Sequence, residues 1–333
     1  MNAAVPPLSQ PLLQITDLVK HFPVQRGLLK RTVGQVRAVD GVSYSVAQGE
    51  TFGLVGESGC GKSTTARLVL RLMKPTSGTI YFDGQDISAG TDIDTKALRK
   101  KLQIVFQDPY ASLNPRMTVR QIIAEPMVVQ GMGKDEANAR VDELLTTCGL
   151  AREHGARYPH EFSGGQRQRV GVARALANKP KLIFLDEPVS ALDVSIQAQI
   201  VNLLDDLQDQ MGLTYVFIAH DLSVVSHISD RIAVMYLGKI VESGTKDEVF
   251  GGPGHPYTKA LLSAVPLPDP RAERARKRER IVLQGDLPSA ANPPSGCRFR
   301  TRCWKATDLC ANEEPVLMDR GGGHPVACHF PEQ

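Results

Sequence analysis

The sequence has no apolar run approaching the roughly 18 residues that a membrane-spanning helix requires, so the chain is not expected to cross a bilayer itself. Residues 1–10 lack the charged-then-apolar pattern of a secretory signal. The chain is therefore expected to stay in the cytosol, with any membrane association passing through a partner or a surface contact. A net charge of +3 is too small to make nucleic acid the main partner. There is no internal repeat and no heptad run. Six cysteines occur but no C-x2-C pair, so there is no obvious zinc knuckle.

What is present is the composition of an ordinary globular protein, 42% hydrophobic and 23% charged over 333 residues. That length suggests about two domains and a sizeable core. Four short apolar segments each end on polar residues: 51–55 runs into Gly56, 102–106 into Gln107, 182–185 into Asp186 and Glu187, and 215–219 into His220. Near-continuous apolar strands imply a sheet buried on both faces, and such sheets bind ligands at the carboxyl ends of their strands. Helical spacing is read over 63–73, 134–150 (with Gly149 as C-cap), 164–177 and 194–211. Residues 112–162 show little strand character and read as a helical insertion, the core of a helical subdomain over about 112–170. Segments 12–51 and 77–86 alternate in short β-like runs and suggest an antiparallel flank. Pro266, Pro268 and Pro270 break regular structure, and a basic run at 271–280 follows. Residues 1–265 are thus read as one domain and 266–333 as a small appended one.

The segment Gly56, Glu57, Ser58, Gly59, Cys60, Gly61, Lys62, Ser63 fits the phosphate-binding pattern G-x-x-x-x-G-K-[ST], after a strand and at the start of a helix that continues through Thr64. Its glycines let backbone N–H groups curl towards phosphate oxygens, and the helix N-terminus adds partial positive charge. Lys62 is expected to reach the β- and γ-phosphates of ATP, and Ser63 to ligate Mg²⁺. Asp186 suits a Mg²⁺ contact through water, and Glu187 is placed to act as general base on the attacking water.

Ahead of that acidic strand stands Phe162-Ser-Gly-Gly-Gln166, which resembles the signature motif of ATP-binding-cassette (ABC) ATPases. The resemblance implies an α/β fold: a P-loop NTPase cassette with a RecA-like, mostly parallel sheet core, an antiparallel β flank and a helical subdomain. It implies that Ser163, Gly164, Gly165 and Gln166 contact ATP held by a second cassette, so that two cassettes sandwich two nucleotides head to tail. It further implies that Gln107 senses Mg²⁺ and water, that residues 190–193, ending on Asp193, communicate across the dimer, and that His220 contacts the γ-phosphate. Phe22 is the candidate for stacking on adenine, with His21 as the alternative. Glu187 and His220 are both present, which opposes a cassette that binds ATP without turnover. A single cassette without a coiled-coil insertion opposes a non-transport ABC ATPase of DNA repair or translation.

Residues 255–262 (His-Pro-Tyr-Thr-Lys-Ala-Leu-Leu), 107–115, 285–289 and Asn292-Pro-Pro are similar to the oligopeptide and dipeptide importer ATPases, nearest the second ATPase subunit of dipeptide permeases. This implies a homologous sister ATPase, two membrane permease subunits and a periplasmic binding protein as partners, at the cytoplasmic face of a bacterial inner membrane. Dipeptides, longer peptides, nickel chelates, glutathione and antimicrobial peptides all remain open as cargo. Cys297, Cys303, Cys310 and Cys328 follow C-x5-C-x6-C-x17-C. In related importers such a quartet holds a [4Fe–4S] cluster. Zinc, with His324 or His329, and a metal-free quartet are the alternatives. The basic run 271–280 reads as a solvated linker, or as a contact for anionic lipid or an acidic partner.

Overall fold

The computed structural model describes residues 10–27, 31–265, 280–319 and 322–332. In chain order the strands are β1 (Leu13–Arg26), β2 (Arg31–Val46), β3 (Thr51–Val55), β4 (Ser77–Phe82), β5 (Gln85–Asp86), β6 (Leu102–Val105), β7 (Leu182–Asp186), β8 (Thr214–Ala219), β9 (Arg231–Tyr236), β10 (Lys239–Thr245), β11 (Met318–Asp319) and β12 (Pro325–Val326). The helices are α1 (Lys62–Val69), α2 (Thr95–Lys101), α3 (Pro109–Ser112), α4 (Val119–Val129), α5 (Lys134–Thr147), α6 (Gly164–Leu176), α7 (Val194–Met211), α8 (Leu222–Ile228), α9 (Lys246–Gly251) and α10 (Pro256–Ala264), with a short further turn of helix at Asp308–Asn312. None of the described helices is long and apolar enough to cross a membrane.

The strands make two sheets. The central one runs β11-β12-β10-β9-β3-β8-β7-β6. Its five strands from β9 to β6 are parallel, while β10, β12 and β11 add antiparallel to the other edge. β3, β7 and β8 are buried along their whole length, as strands covered on both faces must be. Their side chains alternate between two cores. Phe52, Leu54, Phe184, Val216 and Ile218 pack towards Leu13, Ile15, Val39 and Ile80 of the second sheet. Val55, Ile183, Leu185, Tyr215 and Phe217 pack towards the helical side, where Ile122, Val141, Leu144, Val172, Ile200 and Leu204 complete the core.

The second sheet is the expected antiparallel flank, in the order β2-β1-β4-β5, but it is built on long strands rather than short runs. Its β4–β5 hairpin turns on Asp83 and Gly84, both at positive φ, as a two-residue loop between twisted strands demands. The expected helical insertion is present as α3, α4, α5 and two 3-10 turns, Arg152–Ala156 and Pro159–Glu161.

The C-terminal segment packs onto the cassette. Val326 of β12 pairs with Glu242 of β10, and Phe299 is 1% exposed within the same core as the helical side. Arg37 of β2 donates its N–H to the carbonyl of Ala290. Of the basic run 271–280, only Arg280 lies within the described residues, as does none of Pro266, Pro268 and Pro270.

Candidate active site

Parallel register fixes the site. Val55 pairs with Ala219, Asp186 with Ile218 and Leu185 with Val105, so Gly56, Gln107, Glu187 and His220 all emerge at one sheet edge. The loop 56–63 leaves β3 and enters α1. A β-carbon on Gly56 (φ 152°) would fall 2.1 Å from the Met235 carbonyl oxygen, and one on Gly61 (φ 110°) 2.1 Å from that of Ala38. Both positions therefore exclude any side chain, because the loop curls tightly between β9 and β2. Lys62 is 4% exposed, and its ammonium donates to the carbonyls of Gly56 (2.7 Å) and Glu57 (3.0 Å), which holds it across the loop's mouth. Thr64 follows in α1. Burial pushes the Cys60 thiol up despite the neighbouring Lys62 charge.

Three contacts tie the other strand ends to each other and to the loop. Ser63 Oγ donates to Asp186 Oδ1 at 2.7 Å. Gln107 Nε2 donates to Glu187 Oε2 at 2.9 Å, and His220 Nδ1 meets the same oxygen at 3.2 Å. Burial pushes the Asp186 carboxyl up, opposed by the Ser63 hydrogen bond and the Arg67 charge. Glu187 sits at φ 47°, an unusual backbone for a side chain of this kind, held by its N–H bond to Ile218 O. Ser63 and Asp186 are hard oxygen donors, and Mg²⁺ characteristically takes only one or two protein ligands beside phosphate. The donor set fits Mg²⁺.

The signature residues lie on a different element. Ser163 caps α6 in a capping box: its Oγ accepts from Gln166 N, and the Gln166 side chain accepts from Ser163 N. Gly164 and Gly165 follow in the first turn. A β-carbon on Gly165 would stand 2.5 Å from Ile196 Cγ2, so glycine lets α6 approach α7 closely. Asp193 is the N-cap residue of α7, and Ser190 Oγ donates to the Glu187 carbonyl at 3.1 Å, which links that loop to the acidic strand. Among the described residues no hydrogen bond joins 163–166 to the loop 56–63. Phe22 lies on β1 opposite Val36, with the Lys20 ammonium 5.0 Å from its ring centre. His21 Nε2 meets Asp40 Oδ1 at 2.8 Å.

Sequence reasoning missed two residues at the loop. Tyr257 Oη accepts the Glu57 N–H at 2.8 Å, and Arg302 forks onto the Glu57 carboxylate at 2.7 and 3.0 Å. Tyr257 lies in the His-Pro-Tyr segment already singled out, so the sequence carried a signal for it. Arg302 is 245 residues from Glu57, and nothing local announced it.

Cys297, Cys303, Cys310 and Cys328 line one pocket, with His255, Phe299 and His329 beside them. Burial raises the thiols of Cys303 and Cys328 and pushes Cys297 up to about 11. The quartet is gathered, yet among the described residues no group of three or more His, Cys, Asp or Glu is arranged to hold a metal ion. The expected cluster thus gains a common location without a ligand geometry. His324 is not at this place: its Nε2 meets Glu242 Oε1 at 2.7 Å, and Glu242 is fully buried. His329 Nε2 meets the Glu313 carbonyl at 3.0 Å.

The chain matches the ABC transporter family over residues 39–190 and the oligopeptide/dipeptide transporter C-terminal region over 241–310. It is 56% identical to the oligopeptide transport ATP-binding protein AppF of Bacillus subtilis over 96% of this chain and 97% of that one. It is 53% identical to the oligopeptide transport ATP-binding protein OppF of Salmonella typhimurium, covering 95% of each. Identity to the dipeptide transport ATP-binding protein DppF of Escherichia coli is 50%, over 98% and 96%. Among solved structures it is similar to the dimeric post-hydrolysis ATP-binding cassette MJ0796 bound to ADP and phosphate, with a TM-score of 0.62, 30% identity and coverage of 70% of this chain and 98% of that one. With its phosphate loop, acidic strand and signature helix in place, the chain belongs to the ABC transporter ATPases, in the group that carries the oligopeptide/dipeptide transporter C-terminal region.

Proposed function

We propose that this ABC ATPase drives import of dipeptides or short oligopeptides into a bacterial cell, bound peripherally at the cytoplasmic face of the inner membrane. The observation that carries this reading is the match of residues 241–310 to the peptide-transporter region, on a chain at least 50% identical to named oligopeptide and dipeptide transport ATP-binding proteins.

Binding begins at the loop. Amides of 56–63 and the N-terminus of α1 face the phosphates, Lys62 moves from its carbonyl partners to the β- and γ-phosphates, and Phe22 stacks on the base. Ser63, Gln107 and Asp186 would hold Mg²⁺, which would supply charge neutralisation at the phosphates. Glu187 takes the proton of the attacking water. Gln107 and His220 both bond Oε2, which fixes the carboxylate and leaves Oε1 for the water. His220 also contacts the γ-phosphate.

Residues 163–166 complete the site of a second cassette, a homologous sister ATPase, in a head-to-tail dimer. The dimeric state of the solved cassette named above supports this arrangement. Closure on ATP turns two permease subunits outward, towards a periplasmic binding protein, and hydrolysis resets them. We take residues 1–265 as the cassette and 266–333 as its extension. We further propose that Cys297, Cys303, Cys310 and Cys328 hold a [4Fe–4S] cluster as a structural staple. Their gathering at one pocket supports it.

The test is reconstitution with the permease subunits and binding protein in vesicles. ATP-driven uptake of a labelled dipeptide is expected. Uptake of nickel chelate or glutathione instead reassigns the cargo, and no association with permease subunits overturns the transport role. Iron and acid-labile sulfide are expected in anaerobically purified protein, and zinc without iron overturns the cluster.

A further inference from the structure

The contact between Arg302 and Glu57 joins the C-terminal segment to the nucleotide loop. The two terminal guanidinium nitrogens each donate to one carboxylate oxygen, at 2.7 and 3.0 Å, in the bidentate geometry that gives such pairs direction as well as strength. Arg302 is only 8% exposed in its side chain, against 27% for Glu57. A buried guanidinium left without a partner is costly, so this pair is held. Tyr257 fixes the same residue from its backbone, accepting the Glu57 N–H at 2.8 Å. Tyr257, Tyr236 and Phe299 pack in tilted and edge-on contacts with ring centres 4.7 to 5.4 Å apart, so the grip on Glu57 is itself anchored in the core.

Glu57 is an odd residue to find here. The loop collects amides and an ammonium to receive a polyanion, and a carboxylate in it opposes that purpose. Unpaired, Glu57 would either repel the triphosphate or turn to Lys62, whose Nζ already lies 3.0 Å from the Glu57 carbonyl. Arg302 removes both alternatives.

We propose that Arg302 is a positioning residue for ATP: it neutralises Glu57 within the phosphate loop and lets the C-terminal segment set the loop's nucleotide affinity. The proposal rests on the reading of 56–63 as the ATP loop. Arg302 directly precedes Cys303, one of the quartet, which places that pocket one residue from the side chain that holds Glu57.

The test titrates the full-length protein with a fluorescent ATP analogue in Mg²⁺. Arg302→Ala is expected to weaken binding by about tenfold, a change of about 1.4 kcal/mol. Adding Glu57→Gln to Arg302→Ala is expected to restore most of that loss, because the unpaired charge is gone. Arg302→Lys is expected to fall between, keeping charge but losing the fork. Unfolding midpoints measured on the same proteins separate this from a folding defect, which would lower the midpoint of Arg302→Ala while the folded fraction kept wild-type affinity. Wild-type affinity in Arg302→Ala, or no rescue by Glu57→Gln in a folded double variant, overturns the proposal. If Arg302→Ala does not fold, Arg302→Lys with and without Glu57→Gln gives the same comparison. Failure of the wild-type chain to bind ATP would instead remove the underlying loop assignment.

Discussion

Ser63 and Asp186 meet directly, hydroxyl to carboxylate at 2.7 Å, across 123 residues of sequence. The bond joins the end of the phosphate loop to the end of β7, two strands away in the sheet. Both side chains are oxygen donors facing one point, and burial holds the Asp186 carboxyl above its ordinary range. A divalent cation between them would reverse that penalty. Ser63→Ala and Asp186→Asn are therefore expected to weaken the Mg²⁺-dependent part of ATP binding by at least about tenfold. Titration with ATP in Mg²⁺ and in EDTA checks this. Equal loss in both conditions would show that the pair serves the loop and not the ion.

Glu187 carries two hydrogen bonds on one oxygen, from Gln107 and His220. Glu187→Gln keeps the shape and removes the base, so hydrolysis is expected to fall by about 10²- to 10⁴-fold while ATP binding is kept. Gln107→Ala and His220→Ala act on the same carboxylate, and their combined effect is expected to be smaller than the product of the single effects. Steady-state phosphate release, set against equilibrium ATP binding, measures both. A Glu187→Gln protein that hydrolyses normally assigns the base elsewhere.

Much of this site was legible in the sequence because β3, β6, β7 and β8 are apolar runs that stop abruptly at polar residues. A strand buried on both faces writes itself as such a run, and parallel order then gathers the ends. The rest was hidden for physical reasons. The apolar strand β9 turns into β10 at Leu237 and Gly238, a pair without the Asn-Gly or Asp-Gly signal of a tight hairpin, although both residues take positive φ. Helix α1 stops at Val69 rather than near residue 73, because Arg71 turns left-handed at φ 53°. The Arg302–Glu57 and Arg298–Asp40 pairs are purely tertiary, and no window of sequence contains both partners.

Phe299 tests how far the C-terminal segment is a part of the cassette. Its ring is 1% exposed and touches Tyr236, Tyr257 and His255, with centres 5.3 to 5.6 Å away. Phe299→Ala leaves a cavity against the core that also contains Val234 and Leu237. The expected loss is about 3–5 kcal/mol of stability, read as a lowered unfolding midpoint for the whole chain. A separate low-temperature transition, with the main one unmoved, would mean that the segment packs as an independent unit.

Asp83 offers a pH test of the joint between the two sheets. It sits in the β4–β5 turn and bonds Lys181 at 2.7 Å and Lys101 at 2.8 Å, beside the starts of β7 and β6. The Lys101 bond, then the Lys181 bond, hold its carboxyl below the ordinary value of 3.8. A carboxylate with a lowered folded pKa contributes stability that is fully present above its unfolded value and is lost as pH falls through the folded one. Asp83→Asn removes the charge and keeps a residue that tolerates the φ of 53° found here, so backbone strain does not confuse the comparison. Both lysines are 47% exposed, which limits the gap between wild type and variant to about 1 kcal/mol at neutral pH. Unfolding midpoints from pH 7 downwards should show that gap constant to about pH 4 and closing below it. A gap that persists unchanged at pH 3 would place the effect in the turn's hydrogen bonding and not in its charge.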